Sequence, residues 1–312
     1  MRITIYLVLL FFVAQVCGLL ITNQHIPHVE TLDDGTKVLQ NATTELAFDT
    51  ERPQTTSPWQ TLGFIVGAVI FGTILLLILI RFKQQKVWKA WFFLAVVLCL
   101  TYSLASFIPD LIALLLAGIF AYLKIFRRNV IVHNITEVLI YGALGAIFVP
   151  MQYMTIPVAL GLLIIISLYD MFAVWKSKHM VKLADFQAST NVFAGLFIPY
   201  TSQEKTKAKI HTKEKKAPAG SQKNEKTQNA ILGGGDIAFP LIFAGAVMKD
   251  LVIIYPQVTG ILLSLIISVT AAVSLFILFV KAQKGKFYPA MPFITLGCFA
   301  GYAIILITTS II

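Results

Sequence analysis

Long apolar runs, each about the length of a membrane crossing, alternate along the chain with polar connections. Nine runs stand out: Ile3–Ile21, Thr61–Ile80, Ala90–Phe107, Leu111–Leu123, Val130–Val149, Ile156–Trp175, Ile231–Met248, Leu251–Val280 and Pro289–Ile312. At roughly 20 residues per crossing helix, they predict an all-α polytopic membrane protein with nine transmembrane helices. The fourth run is short, and the eighth is overlong with Pro256 near its start. Arg2 precedes an apolar core that lacks a small-x-small cleavage site, so the first run reads as an uncleaved helix.

Two connections are long. Residues 22–60 form an acidic, polar loop after the first helix, and residues 176–230 separate the sixth helix from the seventh. The chain therefore divides into 1–175 with six helices, 176–230 as a connecting segment, and 231–312 with the last three helices. Within the connection, Leu183, Phe186, Phe193 and Phe197 recur at spacings of three, seven and four residues, which predicts an amphipathic helix lying on the membrane surface. Residues 201–228 follow as a linker carrying eight lysines.

Composition agrees with this reading. Of 312 residues, 57% are apolar and 13% charged, with mean hydropathy +0.80. A soluble domain needs about twice that charged fraction. Cys17, Cys99 and Cys298 lie in separate apolar runs and form neither a disulfide framework nor a zinc site.

The net charge of +10 raises nucleic acid as a partner, but the positions of the charges argue against it. Alternate connections starting from the N-terminus carry 22 of the 25 Lys and Arg residues, and the others carry 3. By the positive-inside rule the N-terminus and residues 176–230 are cytoplasmic, and the C-terminus is outside. The basic charge faces the cytoplasm, and the lysine-rich linker has no aromatic residue for base stacking. The expected partner is the lipid bilayer, not nucleic acid.

Candidate chemistry lies in the acids. Of fifteen Asp and Glu, only Glu137, Asp170 and Asp236 sit well inside apolar runs. A carboxylate near the centre of a membrane helix costs on the order of 3 kcal/mol, so such residues face the protein interior and mark function. Asp170 is six residues before Lys176, and Asp236 is six after residue 230. Both are therefore about 9 Å from the same face. Two adjacent carboxylates titrate as a unit, one keeping a proton while the other is anionic. That division suits aspartyl proteolysis: the anion takes a proton from water while the acid polarises the scissile carbonyl.

The surrounding residues support this chemistry. Gly233, Gly234 and Gly235 precede Asp236 and remove side chains that would bar a second backbone. Pro240 offers no N–H to the Asp236 carbonyl. Pro289-Ala290-Met291-Pro292 makes an irregular helix start close to the same face, as expected where backbone lines a cavity. Glu137 reads as structural, with His133 one turn away. A proton- or cation-coupled transporter using Asp170, Asp236 and Glu137 as a relay is the alternative from another class. It predicts two related halves, and no such repeat stands out. No H-E-x-x-H or G-x-S-G sequence supports a zinc or serine protease.

Tyr169-Asp170 in the sixth run, Gly233-Gly234-Gly235-Asp236 in the seventh and Pro289-Ala290-Met291 at the ninth resemble the three motifs of the presenilin and signal peptide peptidase family of intramembrane aspartyl proteases, its archaeal presenilin-like members above all. The stretch Tyr169–Met180 is also similar to the family's run after its first aspartate. One position departs: the family reads Pro-Ala-Leu where this chain has Met291. The resemblance implies an intramembrane aspartic endopeptidase of the GxGD type with Asp170 and Asp236 as the catalytic pair. Tyr169, Gly233, Gly234, Gly235, Pro289, Ala290 and Met291 would shape the substrate site, with no metal and no cofactor. With the N-terminus cytoplasmic, the resemblance is to the presenilin orientation. It then implies a multi-pass protein of the cell membrane acting on transmembrane helices whose N-termini are outside, and is compatible with self-association of the chain.

Overall fold

The computed structural model describes residues 2–31, 37–40, 45–82, 84–127, 129–177, 193–201, 227–282 and 288–311. Among them are nine α-helices: α1 (Arg2–Asn23), α2 (Pro58–Arg81), α3 (Gln85–Ala105), α4 (Asp110–Phe126), α5 (Val130–Phe148), α6 (Ile156–Phe172), α7 (Gly235–Ile254), α8 (Gln257–Lys281) and α9 (Met291–Ile311). Eight are long and apolar enough to cross a membrane. α4, at 17 residues, is the short one; at 1.5 Å per residue it spans about 25 Å.

Local sequence sets the helix starts. Ser57 accepts a hydrogen bond from the Gln60 N–H with Pro58 in the first turn, Asn129 accepts from Ile131 and Val132, and Pro157 opens α6. These residues satisfy or remove the orphan N–H groups of a first turn. Pro256 separates α7 from α8. Its preference for extended backbone in the preceding residue ends α7 at Ile254. Lys249 and Asp250 therefore lie inside α7 and not in a connection, as the overlong eighth run had suggested. Lys249 Nζ donates to the carbonyls of Val149, Met151 and Met154 beyond the end of α5, at 3.2, 3.3 and 2.8 Å.

α7 is the central helix. Of its apolar span 72% is buried in the protein, against 11% for α2. α1 and α5 pack on it in the same direction, where small residues permit close approach: Gly18 lies on Leu241, Gly145 on Thr22 and Gly245 on Val149. α6 and α9 close the other side, and α8 packs between α9 and α1. α3 and α4 form a satellite cluster around Trp88, Phe92, Val96 and Leu100.

The segment before α7 differs from the sequence expectation. β5 (Gly195–Thr201) and β6 (Thr227–Gly233) form an antiparallel hairpin pairing Gly195 with Gly233 and Thr201 with Thr227. Ile231, Leu232 and Gly233 thus belong to a strand, not to the start of a helix, and Phe197 is on a strand rather than an amphipathic helix. Phe193 precedes that strand, while Leu183 and Phe186 lie outside the described residues. Burial alternates along β6, with Leu232 2% exposed and Ile231 50%, the period of a strand with one face covered. At the opposite end of the bundle, β1 (His28–Thr31) pairs with β2 (Lys37–Gln40), and β3 (Glu45–Leu46) with β4 (Thr50–Glu51).

Candidate active site

Asp170 lies in the last turn of α6 and is buried. Its Oδ2 accepts the Met291 N–H at 3.2 Å, and the Ala290 N–H also reaches its carboxylate. The donors are free because α9 begins only at Met291 and a first turn leaves its N–H groups unpaired. Pro289 and Met291 are buried and Ala290 half-buried, so the irregular stretch forms a cradle for one carboxylate. One turn before Asp170, Ser167 and Thr295 share a 2.7 Å hydrogen bond that ties α6 to α9.

Asp236 stands in the first turn of α7, directly above the hairpin. A strand, not six helical residues, leads up to the acid. The Gly233 N–H donates to its carboxylate, and the two aspartates are within electrostatic reach of each other. Gly234 N donates to Ala194 O at 3.3 Å, fastening the turn to the start of β5. Pro240 lies inside α7, so the Asp236 carbonyl has no i+4 N–H donor. On α1, Gln15 is fully buried, and its amide donates to Ile237 O at 2.9 Å.

A cavity of about 450 Å³ opens beside this turn. Its floor includes Gly234, Gly235 and Ala194, and its walls are mainly apolar residues of α2, α3, α5 and α7, among them Ile65, Val69, Phe92 and Val96. Of the residues proposed from sequence, the structure gathers Asp170, Asp236, Gly233, Gly234, Gly235, Pro289, Ala290 and Met291 at one end of the bundle. The hydroxyl of Tyr169, next to Asp170 on α6, faces Thr73 of α2 at 3.4 Å.

Sequence reasoning missed the partners of Glu137. Lys124, counted there among the cytoplasmic charges, is buried in α4 with its Nζ 2.5 Å from Glu137 Oε1. The Tyr141 hydroxyl donates to Glu137 Oε2. The expected neighbour, His133, is farther off, at 3.9 Å. The available signal was the four-residue spacing of His133, Glu137 and Tyr141, which puts all three on one helix face.

The family described as signal-peptide peptidase, presenilin aspartyl protease matches residues 37–311. A structure of a presenilin family intramembrane aspartate protease in the P2 space group covers 97% of this chain and 96% of its own, with TM-score 0.58 and 17% identity. A second, in the C222 space group, covers 96% and 99%, with TM-score 0.56 and 18% identity. At these identities the likeness speaks for the fold. A search of curated proteins finds no match. The family match decides against the coupled-transporter reading. Spanned by that family over residues 37–311 and carrying its fold, the chain belongs to the signal-peptide peptidase and presenilin family of aspartyl proteases, multi-pass membrane enzymes that hydrolyse peptide bonds within the bilayer.

Proposed function

We propose that Asp170 and Asp236 are the catalytic pair, and that a transmembrane substrate reaches them through the apolar cavity beside Gly234 and Gly235. The observation that carries this reading is that Asp170 and Asp236, on helices packed against each other, lie within electrostatic reach of one another, with Asp170 seated on the N–H groups of Ala290 and Met291. One carboxylate, ionised, takes a proton from water as its oxygen bonds to the scissile carbon. The other, protonated, gives its proton to the carbonyl oxygen, and a tetrahedral diol forms. In collapse, a carboxylic acid protonates the nitrogen, the C–N bond breaks, and a carboxylate recovers the diol proton.

A helical substrate keeps its carbonyls bonded within the helix, so it must unwind before attack. The hairpin is suited to receive it. Among the described residues neither β5 nor β6 pairs with a third strand, and a free edge takes up an extended peptide through backbone hydrogen bonds. Both carboxylates come from one chain, so the chemistry needs no second copy. The excess of Lys and Arg at the hairpin end supports a cytoplasmic placement of that end, and with it substrates of the cell membrane whose N-termini are outside.

The test is reconstitution of the full chain in liposomes with a single-span peptide. Asp170→Asn and Asp236→Asn should each lower cleavage within the span by roughly 10³-fold or more, with insertion unchanged. Robust cleavage by either variant overturns the assignment.

A further inference from the structure

The polar face of α5 does more than fill space. Tyr141 is 2% exposed and Glu137 1%. The Tyr141 hydroxyl donates to Glu137 Oε2 at 2.5 Å. Lys124 Nζ, on α4, donates to Glu137 Oε1 at 2.5 Å and to Thr136 Oγ1 at 3.2 Å. Below them a His133 ring nitrogen is 2.9 Å from Gly195 O. Asn134 holds the backbone of Phe197 from both sides, donating to its carbonyl at 2.9 Å and accepting its N–H at 3.1 Å. One helix therefore grips the first strand of the hairpin and, about two turns on, holds a tyrosine in place.

That tyrosine faces the turn before Asp236. A methyl on Gly234 would stand 3.2 Å from the Tyr141 hydroxyl, and Tyr141 is within electrostatic reach of Asp236. A buried ion pair is a poor device for stability alone, and its best-attested use is to select one geometry. Here the pair fixes the carboxylate through one oxygen, and its other oxygen holds the tyrosine. We propose that Tyr141, braced by Glu137 and Lys124, is a positioning residue that sets the Gly234 turn and so the placement of Asp236. The inference rests on Asp236 being catalytic. It separates two functions of α5: Tyr141 governs the rate of the chemical step, whereas Asn134, through Phe197, governs the strand that receives substrate.

The test compares full-length variants in liposomes, measuring kcat, KM and affinity for a peptide with a hydroxyethylene in place of the scissile bond. Tyr141→Phe should lower kcat roughly tenfold or more with KM within about twofold, and weaken the analogue by a similar factor. Asn134→Ala should instead act mainly on KM. Lys124→Met/Glu137→Met leaves no unpaired charge and keeps the fold, yet should reproduce the kcat loss. Glu137→Gln, which still accepts from Tyr141, should recover most of what Glu137→Met loses. Unchanged kcat in Tyr141→Phe overturns the proposal; if that variant does not fold, unchanged kcat in the double variant does. Asp236→Asn runs alongside. If it cleaves, the two-aspartate reading itself fails; if it is inactive while Tyr141→Phe matches the wild type, positioning alone fails.

Discussion

Gly233 and Gly234 are small because of what stands opposite them. A methyl on Gly233 would lie 3.2 Å from Asp236 Oδ2, and one on Gly234 would meet the Tyr141 hydroxyl at the same distance, whereas one on Gly235 would touch the Phe239 ring at an ordinary 3.5 Å. Backbone conformation is not the reason, since among the described glycines positive φ falls at Gly195, at 152°. Gly233→Ala and Gly234→Ala should therefore each lower turnover roughly tenfold by displacing a carboxylate, and Gly235→Ala should leave it within about twofold. Equal losses at all three positions would contradict this account. Met291 reaches the Asp170 carboxylate through its backbone N–H and not its side chain. Met291→Leu should change stability by less than about 1.5 kcal/mol, while Met291→Pro, which removes the donor, should abolish cleavage in the same assay. Asp170 and Asp236 stood out in the sequence as candidates because an acid inside an apolar helix is costly and uncommon. Tyr141 did not, because a tyrosine in an apolar run reads as bulk, and Lys124 near a helix end reads as a headgroup contact until α4 folds against α5.

Among the described residues, the helices were legible in number and approximate bounds because hydrophobic length fixes them. The hairpin was not, because Ile231 and Leu232 run directly into the apolar sequence of α7, and a short apolar run looks alike as strand or helix. Only the pairing of residues 195–201 with 227–233 distinguishes them. The ion pair linking α4 to α5 invites a test at this scale. Glu137→Leu alone, leaving the Lys124 ammonium buried and unpaired, should destabilise the chain by about 3–5 kcal/mol, whereas pairing it with Lys124→Met should restore most of the loss. Thermal melts of the purified variants decide; an equally unstable double variant would deny the pairing. At the opposite end, Arg52 Nε donates to Ala146 O at 3.0 Å, closing the end of α5. Its Nη2 is 2.9 Å from His25 Nδ1, and His25 Nε2 is 2.9 Å from Ser106 Oγ. Arginine has no acceptor, so Nδ1 accepts and the Nε2 hydrogen goes to Ser106. Burial first, then the Arg52 charge, lowers His25 from 6.5 to about 4. As pH falls through that window the unfolded chain takes up a proton that the folded ring refuses. Stability is full above pH 6.5, falls towards pH 4 by about 3 kcal/mol, and changes no further through this group below it. His25→Gln should remove that part of the pH dependence from a melting series, and an unchanged slope would acquit the ring.

Charge is sorted by end over the whole molecule. α1, α5 and α7 run in one direction and α6 returns, so both aspartates lie at the hairpin end, among the connections richest in Lys and Arg. Two basic residues leave that count, because Lys124 is paired inside the protein and Lys249 donates to carbonyls just beyond α5, but the asymmetry keeps its sign. The cytoplasmic assignment predicts that a membrane-impermeant thiol reagent added to intact cells labels Ser310→Cys and spares Lys215→Cys; the reverse pattern inverts the protein and its substrates. It also predicts where the cut falls. Asp170 is in the last turn of α6 and Asp236 in the first turn of α7, so the carboxylates lie within roughly one or two helical turns, about 5–10 Å, of the hairpin end. A substrate with its N-terminus outside should then release an N-terminal fragment that keeps most of its span. Glycine or proline placed near the cytoplasmic end of that span should speed cleavage by easing local unwinding, and the same change near the outer end should not. Mass spectrometry of the fragments reads the position directly. A cut at the centre or outer half of the span would mean that the substrate threads deeper than the hairpin, and the edge of β5–β6 could not be what receives it.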